Sequence, residues 1–230
     1  MMWLRQMLQN RIWSALGQSL RVGFIFLGLP LIAWGMDASS AFFANPARIC
    51  FACAVGFQAA LSAWLFYVSP ARGPARQPYN ISHLYANLFE AVLIVSAFGD
   101  RRNLVIWDEG TSLRWVGAAV YLCGLALSVW SNVTWVRHLR SAGAAAAEDP
   151  VLLFEGPFKW IRYPSMVYLF VYTAGAATLF RSWIGLVLLL PLIGAIVNRV
   201  NNLDRMYAEQ YKRIWPLRRH NSKRLIPYLY

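Results

Sequence analysis

Apolar residues fill this chain in long runs, and the polar residues collect between them. The runs cover about 22–39, 48–69, 83–99, 113–136, 164–180 and 182–198. Each falls within the ~17–25 residues that a helix needs to cross the hydrocarbon layer of a bilayer. Ahead of the first run, Trp3, Leu4, Met7, Leu8, Ile12, Trp13 and Leu16 recur at helical spacing beside Arg5 and Arg11. That pattern predicts an amphipathic helix in the headgroup layer over residues 1–20. Behind the last run, Tyr207, Tyr211 and Trp215 recur every four residues in a basic tail, which predicts a second interfacial helix. The expected fold is all-α: a polytopic helical membrane protein of about six transmembrane spans with N- and C-terminal interfacial helices.

Details inside the runs refine this picture. Pro30 predicts a kink in the first span, because it lacks an N–H and clashes with the preceding turn. Gly117 and Gly124 in the fourth run suit close helix packing. Little beyond Arg181 separates the last two runs, so they should form a tight hairpin. Residues 137–163 make the longest connection, including the low-complexity stretch Ala142 to Ala147.

Composition excludes a soluble fold: 58% of the residues are hydrophobic and only 14% charged, against roughly 25% charged in soluble domains. The net charge of +12 does not point to nucleic acid, because the cations gather at the ends of apolar runs. On the six-span topology, 17 of the 22 Lys and Arg fall on the N-terminal side. The other side receives five: Arg48, Arg101, Arg102, Arg114 and Arg181. The positive-inside rule then puts both termini in the cytoplasm. No cleavable signal is expected, since the first long apolar run starts only after Arg21. Cys50, Cys53 and Cys123 lie in or beside apolar runs; Cys50 and Cys53 share a helix face, yet two sulfurs without further ligands do not make a metal site.

Candidate chemistry concentrates in two places. Gly156 to Ser165, reading GPFKWIRYPS, joins rigid backbone at Gly156, Pro157 and Pro164 to cations (Lys159, Arg162) and aromatics (Phe158, Trp160, Tyr163). The tail begins with Arg199, Asp204 and Arg205. Arg199 and Asp204 would present opposite charges toward Arg162, holding a cofactor carboxylate and steadying a cationic centre. In the third run, His83, Asn87 and Glu90 lie on one helical face, with Glu90 well inside apolar sequence. They would line a polar cavity or hydrogen-bond another helix.

Residues 112–230 resemble the C-terminal core of the integral-membrane methyltransferases typified by isoprenylcysteine carboxyl methyltransferase and phospholipid methyltransferases. That core carries a loop G-P-Y-x-x-x-R-H-P-x-Y-x-G, a helical hairpin, then R-x-x-x-E-E and an aromatic tail. Here the loop reads Gly156-Pro157-Phe158, then Arg162-Tyr163-Pro164-Ser165-Met166-Val167-Tyr168. The tail reads Arg199, Leu203-Asp204, Tyr211, Trp215 and Arg224-Leu225-Ile226-Pro227. Tyr163, Met166 and Tyr168 stand at the motif's histidine, tyrosine and second glycine, and Leu203 and Asp204 at its two acids. The chain thus divides at about 111/112, into residues 1–111 with three motif-free spans and a methyltransferase-like core 112–230.

The resemblance implies S-adenosylmethionine bound at the cytosolic face and a lipophilic acceptor, isoprenoid or lipid, entering from the bilayer. Gly156, Pro157, Arg162, Tyr163, Pro164 and Trp215 would contact the cofactor, while Arg199 and Asp204 would supply the catalytic charges. Two other readings stand beside it. Similar small proteins accompany bacterial cobalt–zinc–cadmium and nickel efflux systems, which implies a non-catalytic inner-membrane accessory with efflux-system partners. Membrane sterol reductases, which use NADPH, end in a similar tail but carry an acid after the loop that is absent here.

Overall fold

The computed structural model describes residues 2–68, 84–107, 111–146, 153–212 and 215–225. Its helices are α1 (Met2–Gly23), α2 (Leu29–Trp34), α3 (Ser39–Phe43), α4 (Pro46–Val68), α5 (Leu84–Arg102), α6 (Thr111–Ala146), α7 (Pro164–Leu179), α8 (Trp183–Gln210) and α9 (Trp215–Asn221). Two isolated bridges are the sole β-type pairings among the described residues. By length and composition, four segments can cross a membrane: Arg11–Trp34, Pro46–Val68, Thr111–Arg140 and Trp183–Gln210. The two remaining runs fall short of that description. Helix α7 has 16 residues, and α5 carries Glu90, Asp100, Arg101 and Arg102 within 19.

The N-terminal segment differs from expectation. Helix α1 does not end before the first apolar run; it continues through a π-helical turn, Phe24–Gly28, into α2. No proline precedes Pro30, and Gly17, Gly23 and Gly28 are single glycines that a helix tolerates at about 1 kcal/mol each, so the helix continues. The wide turn, in which the Leu29 N–H donates to the Phe24 carbonyl, makes room for the proline ring that would otherwise strike the carbonyl four residues back. The side chains of Trp3, Leu4, Met7 and Leu8 lie outside the described residues. Helix α6 likewise runs beyond the expected span to Ala146, because alanine is the strongest helix former. Helix α8 joins the sixth run and the start of the tail without a break.

Helices α6 and α7 run antiparallel in backbone contact. A Cβ on Gly117 would stand 2.2 Å from the Leu179 nitrogen, and one on Gly175 would stand 2.5 Å from the Tyr121 nitrogen. Gly124 meets Tyr172 and Val171 further along the same seam. Small residues let the backbones approach where lipid provides no hydrophobic drive to associate. Around this seam the core is aromatic. Tyr121 meets Phe51 edge to face and Tyr172 at a tilt, with ring centres 4.9 Å apart in each pair, and Phe26 meets Phe89 at 4.9 Å. Helices α5 and α8 also run antiparallel, with Gly185 beside Ser96 at one end and Arg199 over Tyr85 at the other.

At one end of the bundle, three arginines close on a single acid. The Asp100 side chain has no exposed surface. It accepts from Arg114 at 2.7 and 2.8 Å, from Arg181 at 3.0 Å and from Arg48 at 3.2 Å. The surplus donors find carbonyls: Arg48 donates to Phe42 and Ala41, and Arg114 to Leu179 at the end of α7. Arg101 forks onto Asp37 at 2.9 and 2.6 Å, and Arg102 donates to Ala33 while its guanidinium sits 3.7 Å from the Phe98 ring centre. All five arginines that sequence assigns to this side are therefore held by internal partners. The Arg101 hydrogen bond holds the Asp37 carboxyl down to about 2.

Asp100→Asn leaves three guanidinium groups without a counter-charge and should cost about 3–5 kcal/mol, the penalty for breaking a buried ion pair from one side. Thermal unfolding in detergent would show it, and a variant as stable as the parent would mean that the carbonyls alone hold the arginines.

Candidate functional site

The opposite end of the bundle brings the loop 153–163, the end of α8 and the tail together. Gly156 opens a short 3-10 turn, Gly156–Lys159, at φ +54°. A Cβ there would lie 2.6 Å from the Thr134 hydroxyl and 3.2 Å from the Trp130 indole nitrogen, so glycine is needed both for the backbone angle and for its seat on α6. Pro157 is buried. Pro164 begins α7, where its missing N–H leaves nothing unpaired.

Residues 160–163 pair with the tail through the backbone. Lys223 N–H donates to Trp160 O at 2.9 Å, Arg162 N–H to Lys223 O at 2.8 Å, and Tyr163 N–H to Arg224 O at 3.3 Å. This zipper sets two cations and a phenol around Asp204, whose side chain is 8% exposed. Arg162 approaches its two carboxylate oxygens at 3.3 and 3.2 Å. Tyr163 donates to one at 2.6 Å, and Arg224 donates to the other at 2.8 Å. Arg224 also reaches Asn201, one turn back on α8, at 3.0 Å. The Arg162 guanidinium lies 5.7 Å from the Trp215 ring centre. Trp215 in turn stacks with Tyr207 at 5.4 Å, and Tyr207 with Tyr211 at 6.1 Å, so the aromatic stripe continues across the break between α8 and α9.

Cation excess is the electrostatic character of this site. Burial works against the charge of Arg162, and the Asp204 carboxylate only partly offsets it. Arg218 is buried as well, bonded to the Leu153 carbonyl and 4.8 Å from the Phe154 ring centre; its own burial, then the nearby Arg162, disfavour its charged form. Burial and the bond to Asp204 push the Tyr163 phenol far above its ordinary value, so it remains a donor. One buried donor, the Arg162 Nε, has no partner among the described residues.

Of the residues that sequence nominates, Arg162, Tyr163, Asp204 and Trp215 meet in one cluster, with Gly156, Pro157 and Pro164 shaping the loop beneath. Arg199 does not join them. It precedes Asp204 by five residues, which turns it about 140° around the helix, and its guanidinium lies over Tyr85 at 5.4 Å. Arg224, quoted in the tail motif without a role, and Arg218 are the members that the sequence does not nominate. The only signal for Arg218 is the basic run around it, which does not say which cations turn inward. Met166 and Tyr168 pack against the core, Tyr168 at 5.6 Å from Tyr172.

Elsewhere, Glu90 is half-buried and Asn87 exposed on α5, while His83 lies outside the described residues. Cys53 and Cys123 are exposed and Cys50 half-buried, all as free thiols. No group of His, Cys, Asp or Glu among the described residues could hold a metal ion. No protein-family model matches the chain, and neither a curated protein nor a solved structure is significantly similar to it.

Tyr163→Phe removes a hydrogen bond to a buried carboxylate and should lower stability by about 1.5–3 kcal/mol. Because the folded-state phenol titrates above the unfolded one, the parent should lose stability as pH rises past about 10. The variant should lose less over that window. Parallel pH profiles of the two proteins would show that Tyr163 contributes nothing there.

Proposed function

We propose that this chain is an integral-membrane methyltransferase that moves a methyl group from S-adenosylmethionine to a lipophilic acceptor. The observation that carries the reading is the zipper between residues 160–163 and 223–224, which gathers Arg162, Asp204 and Trp215 at one end of the bundle. The residues fit such a cofactor in kind. The unpartnered Arg162 Nε would take its carboxylate, Asp204 would offset its positive charge, and Trp215 offers an aromatic face. When bound, the cofactor supplies a methyl group on a sulfonium. The chain's own part is to orient it and shape the electrostatics around it. On this reading the six helical runs all cross an inner membrane, α5 and α7 inside the bundle. Both termini and the zipper then face the cytoplasm, on the side richer in cations.

A second reading is favoured by one specific observation. Both Asp204 oxygens are already engaged by Arg162, Arg224 and Tyr163. A carboxylate so occupied serves a fixed membrane scaffold, as in a non-catalytic accessory of an efflux system, without any cofactor. The two readings separate on Arg224. In a methyltransferase Arg224 competes with the sulfonium for Asp204, so Arg224→Gln should tighten cofactor binding several-fold, whereas Arg162→Ala should abolish it. Calorimetry on detergent-solubilised protein, with S-adenosylhomocysteine as the uncharged comparison, measures both. Folded protein that binds neither ligand at millimolar concentration would overturn methyl transfer in favour of the scaffold.

A further inference from the structure

A groove of about 550 Å³ runs along the outer face of α6 against α4. Phe57, Leu122, Leu125, Val129 and Val133 make its walls, and Arg137 stands at one end. We infer that it seats one anionic phospholipid, with an acyl chain against the apolar walls and the headgroup phosphate on Arg137. This inference is independent of methyl transfer.

Length argues for a lipid. From Leu122 to Arg137 the helix rises about 22 Å. That is the half-thickness of a ~30 Å hydrocarbon core plus part of the headgroup layer. The groove therefore begins near the middle of the Thr111–Arg140 span and ends where a headgroup lies. Its floor and walls present apolar side chains over that depth, and its one hydroxyl, on Thr134, is spent on the Trp130 carbonyl at 2.8 Å.

Charge argues for an anion. Arg137 is exposed and belongs to no ion pair among the described residues. In this it differs from the five arginines at the other end of the bundle, each of which has internal partners. A guanidinium at headgroup depth recognises phosphate through paired N–H donors, and basic sites between spans take anionic headgroups. Beside the same end stand the Trp130 and Trp160 indoles, 6.3 Å apart and edge to face, at 46% and 56% exposure. Indoles so exposed are at home in the interfacial layer. Trp130 and Thr134 also touch the Gly156 turn, so an occupied groove would brace the loop that carries Arg162.

The test is thermal unfolding of delipidated protein in neutral detergent, titrated with phosphatidylglycerol, phosphatidylcholine or glycerol phosphate. Phosphatidylglycerol should raise Tm saturably, by about 5 °C, and the other two should not. Arg137→Gln and Ala126→Trp, which fills the groove from an exposed position, should each remove the shift, while Arg205→Gln should keep it. Equal shifts from both lipids, or a shift from glycerol phosphate, would overturn the site. So would a full shift in Arg137→Gln or Ala126→Trp, or its loss in Arg205→Gln.

Discussion

A carboxylate with no exposed surface holds three guanidinium groups at one end of this bundle, and the arrangement of the helices depends on it. Asp100 comes from the end of α5, Arg48 and Arg114 from the starts of α4 and α6, and Arg181 from the turn between α7 and α8. A buried cation is expensive unless paired and hydrogen-bonded. One acid cannot neutralise three arginines, so the remainder of the cost is met by carbonyls at helix ends, where the peptide dipoles present partial negative charge. Leu179 at the end of α7 and Ala41 and Phe42 in α3 fill that role. Five helix ends are thereby tied to one point, and Arg181 is held at φ +53°.

The opposite end uses the same device on chain segments that are far apart in sequence. Asp204 gathers Arg162 and Tyr163 from the loop and Arg224 from the tail. There, however, the surrounding cations outnumber internal acceptors. Arg137, Arg140, Lys159, Arg205, Lys212, Arg219 and Lys223 remain exposed. The bundle is thus electrically asymmetric: one end consumes its arginines in structure, and the other leaves cations exposed.

Much of this was legible in the sequence. The apolar runs locate the starts of α4 through α8 to within two residues, whereas α6 and α8 run on past them. Gly117 marks the α6–α7 seam, and Arg162, Tyr163, Asp204 and Trp215, quoted in the loop and tail motifs, lie together in the structure. The rest depended on relations that linear reading does not contain. Asp100 looked like a loop residue, and its partners lie 52, 14 and 81 positions away; the clue was that lone arginines flanked apolar runs on the side with few cations. Arg199 was grouped with Asp204 by proximity in sequence, although helical rotation points them apart. The continuity of α1 with the first span was missed because amphipathic spacing says which face is apolar and not where the helix stops.

Hydrogen–deuterium exchange with and without S-adenosylmethionine tests most directly whether the loop and tail act as one ligand site. On binding, the amides of 160–163 and 222–225 should slow together, while those of 99–107 at the other end stay unchanged. Unaltered exchange in both segments, or protection confined to the Asp100 end, would contradict a single ligand site.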